Sequence, residues 1–284
     1  MPTLYECVHR GERHFGLDSP GSTTLHLYPL GDLDLQATLL AADGDVPALT
    51  EALTRGREAT PVPASDVRLR PPLLPDSVGD ALVGGFMATH HAKVDAAENT
   101  MPNWFFKGLG DVLKVPGETL RVPSGAVALT EEAEVVLVYL TDPSGTPRYV
   151  GHTFGNDLTD IGRFKRNNGH LSYAKLCDAG ISPWLFLDAP PRHVTGHVTI
   201  ERDGGPVWQG AFTTGTKAIL YDVPEMISGL FAYEALLAPG RVHYVYLGAD
   251  RSSFHSGFSM EGGDRIEMRF GTHDVLLTNT VAAH

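Results

Sequence analysis

Cysteine is nearly missing from this chain. Cys7 and Cys177 are the two present, too few for a disulfide framework, and neither has a CxxC or HxxxH-type partner, so a zinc site has no support. Long apolar runs are missing too. No stretch approaches the roughly 18 apolar residues of a membrane-spanning helix, and the N-terminus lacks the apolar core of a secretory signal, so a cytoplasmic address is the expectation. Positive charge is the third shortage. Lys and Arg number 22 against 34 Asp and Glu, a net charge of −12, which argues against nucleic acid or an anionic membrane as the main partner. A small anionic substrate stays compatible, because it needs only local cations. What is present, 42% apolar and 20% charged residues in 284, is the make-up of an ordinary globular protein with a large core. The 31 glycines and 20 prolines suit a sheet-rich fold with many turns.

The first 75 residues read as a small leading module. Thr24-Leu25-His26-Leu27-Tyr28 is strand-like and residues 46–57 are a polar helical stretch. The proline-rich segment from Thr60 to Pro75 disfavours regular structure and reads as a linker or an extended edge, which places a domain boundary near residue 76. Beyond it, a strand-like start at Val83 runs to His90 and His91, and residues 91–99 are spelled for a helix. A histidine at a strand end facing a cavity is a candidate general acid/base; a surface turn histidine is the plainer reading. Residues 102–111 form an aromatic strand that delivers Lys107 into a glycine-rich turn, where the lysine either meets a ligand carboxylate or makes a structural ion pair.

The segment that carries most chemistry is 130–157. Glu132 and Glu134 stand two apart inside an apolar run, and residues i and i+2 of a strand share a face. Either they form one anionic cluster, which requires a shared proton or a divalent cation, or they lie on a strand edge in water. The loop Thr141–Pro147 reads as a hairpin turn that brings Asn156 and Asp157 back to the first two carboxylates. Three carboxylates make an oxygen-only site suited to Mg²⁺, Mn²⁺ or Ca²⁺. The basic run Arg163, Lys165, Arg166, His170 and Lys175 that follows is either a lid over an anionic substrate or a solvated loop. Further on, residues 192–220 alternate like a hairpin with Gly204-Gly205 at its turn, a helix opens at Asp222-Val-Pro, and the tail from Arg241 reads strand, loop, strand, strand.

In order along the chain, Phe105-Phe-Lys107, Glu132-Ala-Glu134, Gly151-His-Thr-Phe-Gly-Asn-Asp157, Ala174-Lys175, Pro183-Trp184, Asp222-Val-Pro-Glu225 and Leu277-Thr-Asn-Thr-Val281 form a series that resembles the fumarylacetoacetate hydrolase superfamily. The spellings Pro102-Asn-Trp-Phe-Phe-Lys-Gly, Leu171-Ser-Tyr-Ala-Lys175 and Gly240-Arg-Val-His-Tyr-Val-Tyr-Leu-Gly look most like its 2-keto-3-deoxy-arabonate dehydratase-like branch. The resemblance implies an α+β, mostly β fold: a mixed β-sheet roll as catalytic domain (76–284) behind a smaller N-terminal domain (1–75), assembled as a homodimer. It also implies a divalent metal, Mg²⁺ first, held by Glu132, Glu134 and Asp157. The activity implied is a lyase that dehydrates a 2-keto-3-deoxy acid through an enolate; a C–C bond hydrolase of an acylpyruvate and a non-catalytic binding protein are the alternatives. Lys107 and Lys175 would hold substrate oxygens or move a proton, His90 or His91 would serve as base, and Asn156, Arg163 and Gly248 would complete the substrate contacts. Three spellings depart from the family. Its His-x-x-Glu dyad is absent, since Lys93 follows His90 and Val94 follows His91 by three; Leu247-Gly248-Ala249 stands for Thr-Gly-Thr; and Ile161 or Gly162 falls where an arginine often follows the third carboxylate. Substrate choice is expected in segments 161–175 and 249–257.

Overall fold

The computed structural model describes residues 2–94 and 101–283. Alternation within single strands sets up its layers. Along the strand Ala133–Thr141, Val135 and Leu137 point into one apolar core, while Val136, Val138 and Leu140 point into a second on the opposite face, the period of two that a pleated strand imposes. Both faces are therefore buried, which is why this strand is spelled almost entirely with aliphatic residues.

That strand lies inside a large mixed sheet. From one edge its order is Thr60–Pro63, Thr24–Pro29, Glu12–Gly16, Thr3–His9, Leu185–Phe186, Pro147–Asn156, Ala133–Thr141, Val242–Tyr246, Ala81–Met87 and Asn103–Leu109. Neighbours along it are antiparallel except Val242–Tyr246, which runs parallel to Ala81–Met87. The leading module thus joins the sheet directly, Thr3 and Leu4 pairing with Phe186 and Leu185. Its proline-rich segment supplies edge strands at Thr60–Pro63 and Arg68–Leu69, positions where a missing N–H costs no ladder bond. A five-stranded sheet, ordered Gly205–Thr214, Val194–Arg202, Arg265–Phe270, Val275–Val281 and Thr119–Leu120, packs through Val198, Ile200, Phe212, Met268 and Phe270 onto the first core. The second core is closed by Leu35, Leu39, Leu49 and Leu53 from the helices Leu35–Ala42 and Val46–Thr54. Each of these helices starts on an aspartate, Asp34 or Asp45, whose carboxylate accepts a backbone N–H three residues on.

Two local expectations change. Residues 91–93 form a turn rather than the start of a helix, and residues 95–99 of the helix expected over 91–99 lie outside those described. The basic run after Asp160 is not a loop: Ile161–Arg166 and Leu171–Ala174 are helical. Asp160 caps the first of them by accepting from the Arg163 N–H at 3.2 Å. No helix among the described residues is long and apolar enough to cross a membrane.

Candidate metal centre and its cavity

The hairpin formed by Ala133–Thr141 and Pro147–Asn156 pairs Ala133 with Asn156 and Glu134 with Gly155. One further backbone bond, from the Asp157 N–H to the Glu132 carbonyl at 3.0 Å, extends the ladder so that Glu132 stands opposite Asp157. Opposite residues share a face, and so do i and i+2. Glu132, Glu134 and Asp157 therefore converge, with one carboxylate oxygen from each within 4.8 Å of the others. Gly155 adds no side chain to this face, where a Cβ would come within 2.5 Å of the Tyr246 ring. All three carboxylates are buried, at 5%, 1% and 0% exposure, which rules out the solvated-edge reading of the pair.

Cations and backbone groups surround the trio. The Lys175 ammonium donates to Glu132 Oε2 at 2.6 Å, to Thr159 Oγ1 at 2.9 Å and to Asp157 Oδ2, and lies 4.4 Å from the centroid of the Phe105 ring. Lys107 shares a strand face with Phe105. Its Nζ lies 2.6 Å from Asp157 Oδ1 but directs its hydrogen bonds at the carbonyls of Leu158 (2.7 Å) and Lys175 (3.2 Å), so that Oδ1 is buried without a donor aimed at it. Lys93, half-buried, donates to Glu132 Oε1 at 3.2 Å.

The electrostatics divide the two glutamates. Burial alone would raise Glu132, but Lys175 and Lys93 outweigh it and hold that carboxyl well below the usual range. Glu134 is pushed well above the range by burial, then by Asp157 and Glu132. Burial would lower the Lys175 ammonium, yet Asp157, Glu132 and Glu134 more than reverse this. A divalent cation fits such a set. The donors are all oxygen, Asp157 Oδ1 has no hydrogen bond to lose, and Glu134 has charge that only a proton or a further cation can balance.

Of the remaining expected contacts, two are bonded to the trio. Asn156 Oδ1 accepts from the Glu132 N–H at 3.0 Å, and the Gly248 N–H donates to Glu134 Oε2 at 2.6 Å. Gly248 sits at φ +90°, and a Cβ there would lie 2.3 Å from Thr89 Oγ1, so glycine is required. Arg163 is turned away: its guanidinium holds Asp160 Oδ2 at 3.1 Å and the Gly125 carbonyl at 3.1 Å.

A cavity of about 750 Å³ opens on Glu132. Its wall takes Ile161, Phe164 and Lys165 from one face of the helix Ile161–Arg166, the spacing of three and four that a helix aligns. Met87, Lys93, Thr130, Glu131, Trp208, Phe212, Asp250, Arg251, Ser252 and His255 complete most of it. A larger hollow of about 890 Å³ between the N-terminal helices and the Pro29–Asp34 turn is walled mainly by Leu30, Leu33 and alanines and gathers no comparable set of ionisable groups.

Neither expected histidine reaches the cavity. His90 is buried, its Nδ1 bonded to Thr89 Oγ1 at 3.0 Å and its Nε2 to Thr214 Oγ1 at 3.1 Å. Because the Thr89 hydroxyl donates to the Leu247 carbonyl at 2.6 Å, it accepts from Nδ1–H, and Nε2 accepts from Thr214. Burial, then Lys93, holds this imidazole at about 4, neutral at ordinary pH. His91 is exposed on the turn, away from the cavity wall. The cavity groups that sequence reasoning passed over are Glu131, Ser252, Arg251 and His255. Glu131 adjoins Glu132, and the other three lie in the segment 249–257 expected to govern substrate choice.

No family model matches the chain, and no curated protein matches it in sequence. Solved structures do. A 2-keto-3-deoxy-D-arabinonate dehydratase in its apo form aligns at a TM-score of 0.70 and 16% identity over 99% of both chains. The same dehydratase complexed with magnesium and 2,5-dioxopentanoate aligns at 0.67 and 16%, again over 99% of both. A 2-hydroxyhepta-2,4-diene-1,7-dioate isomerase from Mycobacterium marinum aligns at 0.63 and 18% identity, over 100% of this chain and 99% of that one. With the ordered motifs on both sides of the carboxylate hairpin, these likenesses identify the fold of this chain as that of the fumarylacetoacetate hydrolase superfamily.

Proposed function

We propose that this protein is a divalent-metal-dependent enzyme that acts on a small 2-oxo acid through an enolate, most simply as a lyase dehydrating a 2-keto-3-deoxy acid. The observation that carries this reading is the buried Glu132–Glu134–Asp157 trio opening through Glu132 onto a cavity ringed by Lys93, Lys165 and Arg251. Glu132, Glu134 and Asp157 would hold a hard cation, Mg²⁺ in the first instance, which would supply Lewis-acid chemistry to a 2-oxo acid. Lys175 and Lys107 fix the carboxylates in place, and Lys93, Lys165 and Arg251 attract and orient the substrate's anionic end. Phe164, Trp208 and Phe212 restrict water around the reacting carbons, which strengthens every charge interaction there. The magnesium and oxo-acid complex of the dehydratase that shares this fold supports the same chemistry here.

Residues 76–284 hold every group of the site and are read as the catalytic unit. The edge strand Asn103–Leu109 exposes Trp104, Phe106 and Leu109, an apolar strip that supports a homodimer. Two buried free thiols are compatible with a cytoplasmic address.

The test is product analysis with Mg²⁺ in H₂¹⁸O on 2-keto-3-deoxy acids and acylpyruvates. Loss of water without label in a new carboxylate supports the dehydratase; label in a new carboxylate establishes the C–C hydrolase instead. A metal-loaded protein inert on both classes contradicts the catalytic reading and leaves a binding protein.

A further inference from the structure

An enolising site needs a group that removes and returns a proton, and with His90 locked between two threonines and His91 outside the cavity wall, neither expected histidine is placed to be that group. Among the described residues that line the cavity, His255 is the one imidazole. It rides on the short turn Ser253–Ser256, and that turn is built to hold still. The Ser253 N–H and hydroxyl donate to the two oxygens of Glu131 at 2.8 and 2.5 Å, a two-point clamp on the residue adjoining Glu132. The Trp208 indole N–H donates to Ser256 Oγ at 2.8 Å, and Ser256 Oγ donates to the Ser253 carbonyl at 2.8 Å. Ser252 Oγ lies 3.0 Å from His255 Nδ1, which fixes the ring and leaves Nε2 as the nitrogen for a ligand.

We propose that His255, oriented by Ser252 on a turn clamped by Glu131, moves the substrate proton in this protein, in place of a histidine at position 90 or 91. The proposal rests on the enolisation reading above. In the step, the C–H bond next to the ketone breaks, its proton goes to Nε2, and its electron pair becomes the carbon–carbon double bond of the enolate. The proton then returns to carbon, or leaves with the departing hydroxyl as water. No oxidant or reductant is consumed. The charged groups that line the cavity with the ring are Lys93 from the turn after Ala81–Met87, Glu131 and Glu132 from the base of the hairpin, Lys165 from its helix, and Asp250 and Arg251 from the same loop. Burial, then Lys93, lowers its proton affinity below that of a free imidazole, which favours the neutral form that accepts a proton. Ser252 is a positioning residue.

The experiment follows His255 with and without turnover. With Mg²⁺ and 2-oxobutyrate in D₂O, the parent exchanges its C3 protons. His255→Gln slows that exchange by about 100-fold or more while Mn²⁺ affinity and thermal stability stay as in the parent. His91→Gln exchanges as the parent does, and Ser252→Ala loses about 10-fold in rate and shifts the pH profile. Separately, the His255 ring signals in NMR move on adding Mg²⁺ with oxalate. Parent-like exchange by His255→Gln overturns the proposal, and so do ring signals that stay put. A parent that exchanges nothing, yet whose His255 signals move, sinks the enolisation reading while supporting His255 as the imidazole at the ligand.

Discussion

The two ends of the site are built differently. The carboxylate end is buried, set on paired strands, and wired by charge: three acids, two fully buried lysines and a half-buried third, with Asn156 and Gly248 fixing the backbone geometry. The proton end is an exposed turn on the cavity wall, held by three serines, an indole and one carboxylate. Rigid charge belongs where a cation must be seated in one geometry, and hydrogen-bonded turns belong where a group must meet solvent and exchange protons. Substitutions should therefore separate the ends: changes at the first cost stability and metal together, while changes at the second cost neither.

The largest effect is expected from Lys175→Met. It leaves Glu132 and Asp157 buried without their strongest partner, so stability falls by about 3–5 kcal/mol. Mg²⁺ should restore much of that loss, because a bound cation replaces the missing charge. Urea unfolding with and without Mg²⁺ reads both, and an unchanged midpoint would mean that the cluster does not depend on Lys175. Next, Gly248→Ala places a methyl against Thr89 Oγ1 at a positive φ and displaces the N–H that holds Glu134. It should cost about 1–3 kcal/mol and weaken Mn²⁺ binding, whereas His255→Gln should leave both unchanged. If the two variants lose metal equally, the separation of the ends fails.

The smallest expected effect contrasts the two histidines. Burial holds His90 at about 4, below the ordinary imidazole value near 6.5, so as pH falls the unfolded chain takes up a proton that the folded chain refuses. The stability tied to His90 is full above about pH 6.5 and is lost progressively toward pH 4, at about 1 kcal/mol per pH unit. His152 and His243, held at about 3 and about 4 by burial, add to the same trend. His255, more exposed and also lowered, contributes in the same direction. Unfolding midpoints at pH 7, 6 and 5 should fall in the parent and still fall in His255→Gln; a flat profile would show that His90 is not buried as described.

The difference between the ends also explains what the sequence could disclose. Glu132, Glu134 and Asp157 are legible because strand pairing obeys a fixed period: two carboxylates at i and i+2, then a hairpin that returns a third to the opposite position. Lys107 is legible for the same reason, standing two residues from Phe105 on one strand face. Arg163 is not, because choosing between cavity and Asp160 depends on which face the helix Ile161–Arg166 turns inward, and its basic spelling suits a lid and a solvated loop alike. His90 looks chemical in the sequence and is held off the cavity in the fold, since the hydroxyls that claim it come from Thr89 beside it and Thr214 on a distant strand. His255 is the converse. Nothing local distinguishes it, and its place follows from contacts between residues 131 and 253 that only the folded sheet brings together.

The central claim is that the buried trio seats a divalent cation. Calorimetric titration of Mg²⁺ into the parent, Glu132→Ala and Asp157→Ala tests it most directly, with circular dichroism to show that each variant is folded. One site per chain in the parent, weakened by at least about 100-fold in both folded variants, is the predicted result. Parent-like binding in both would contradict the account.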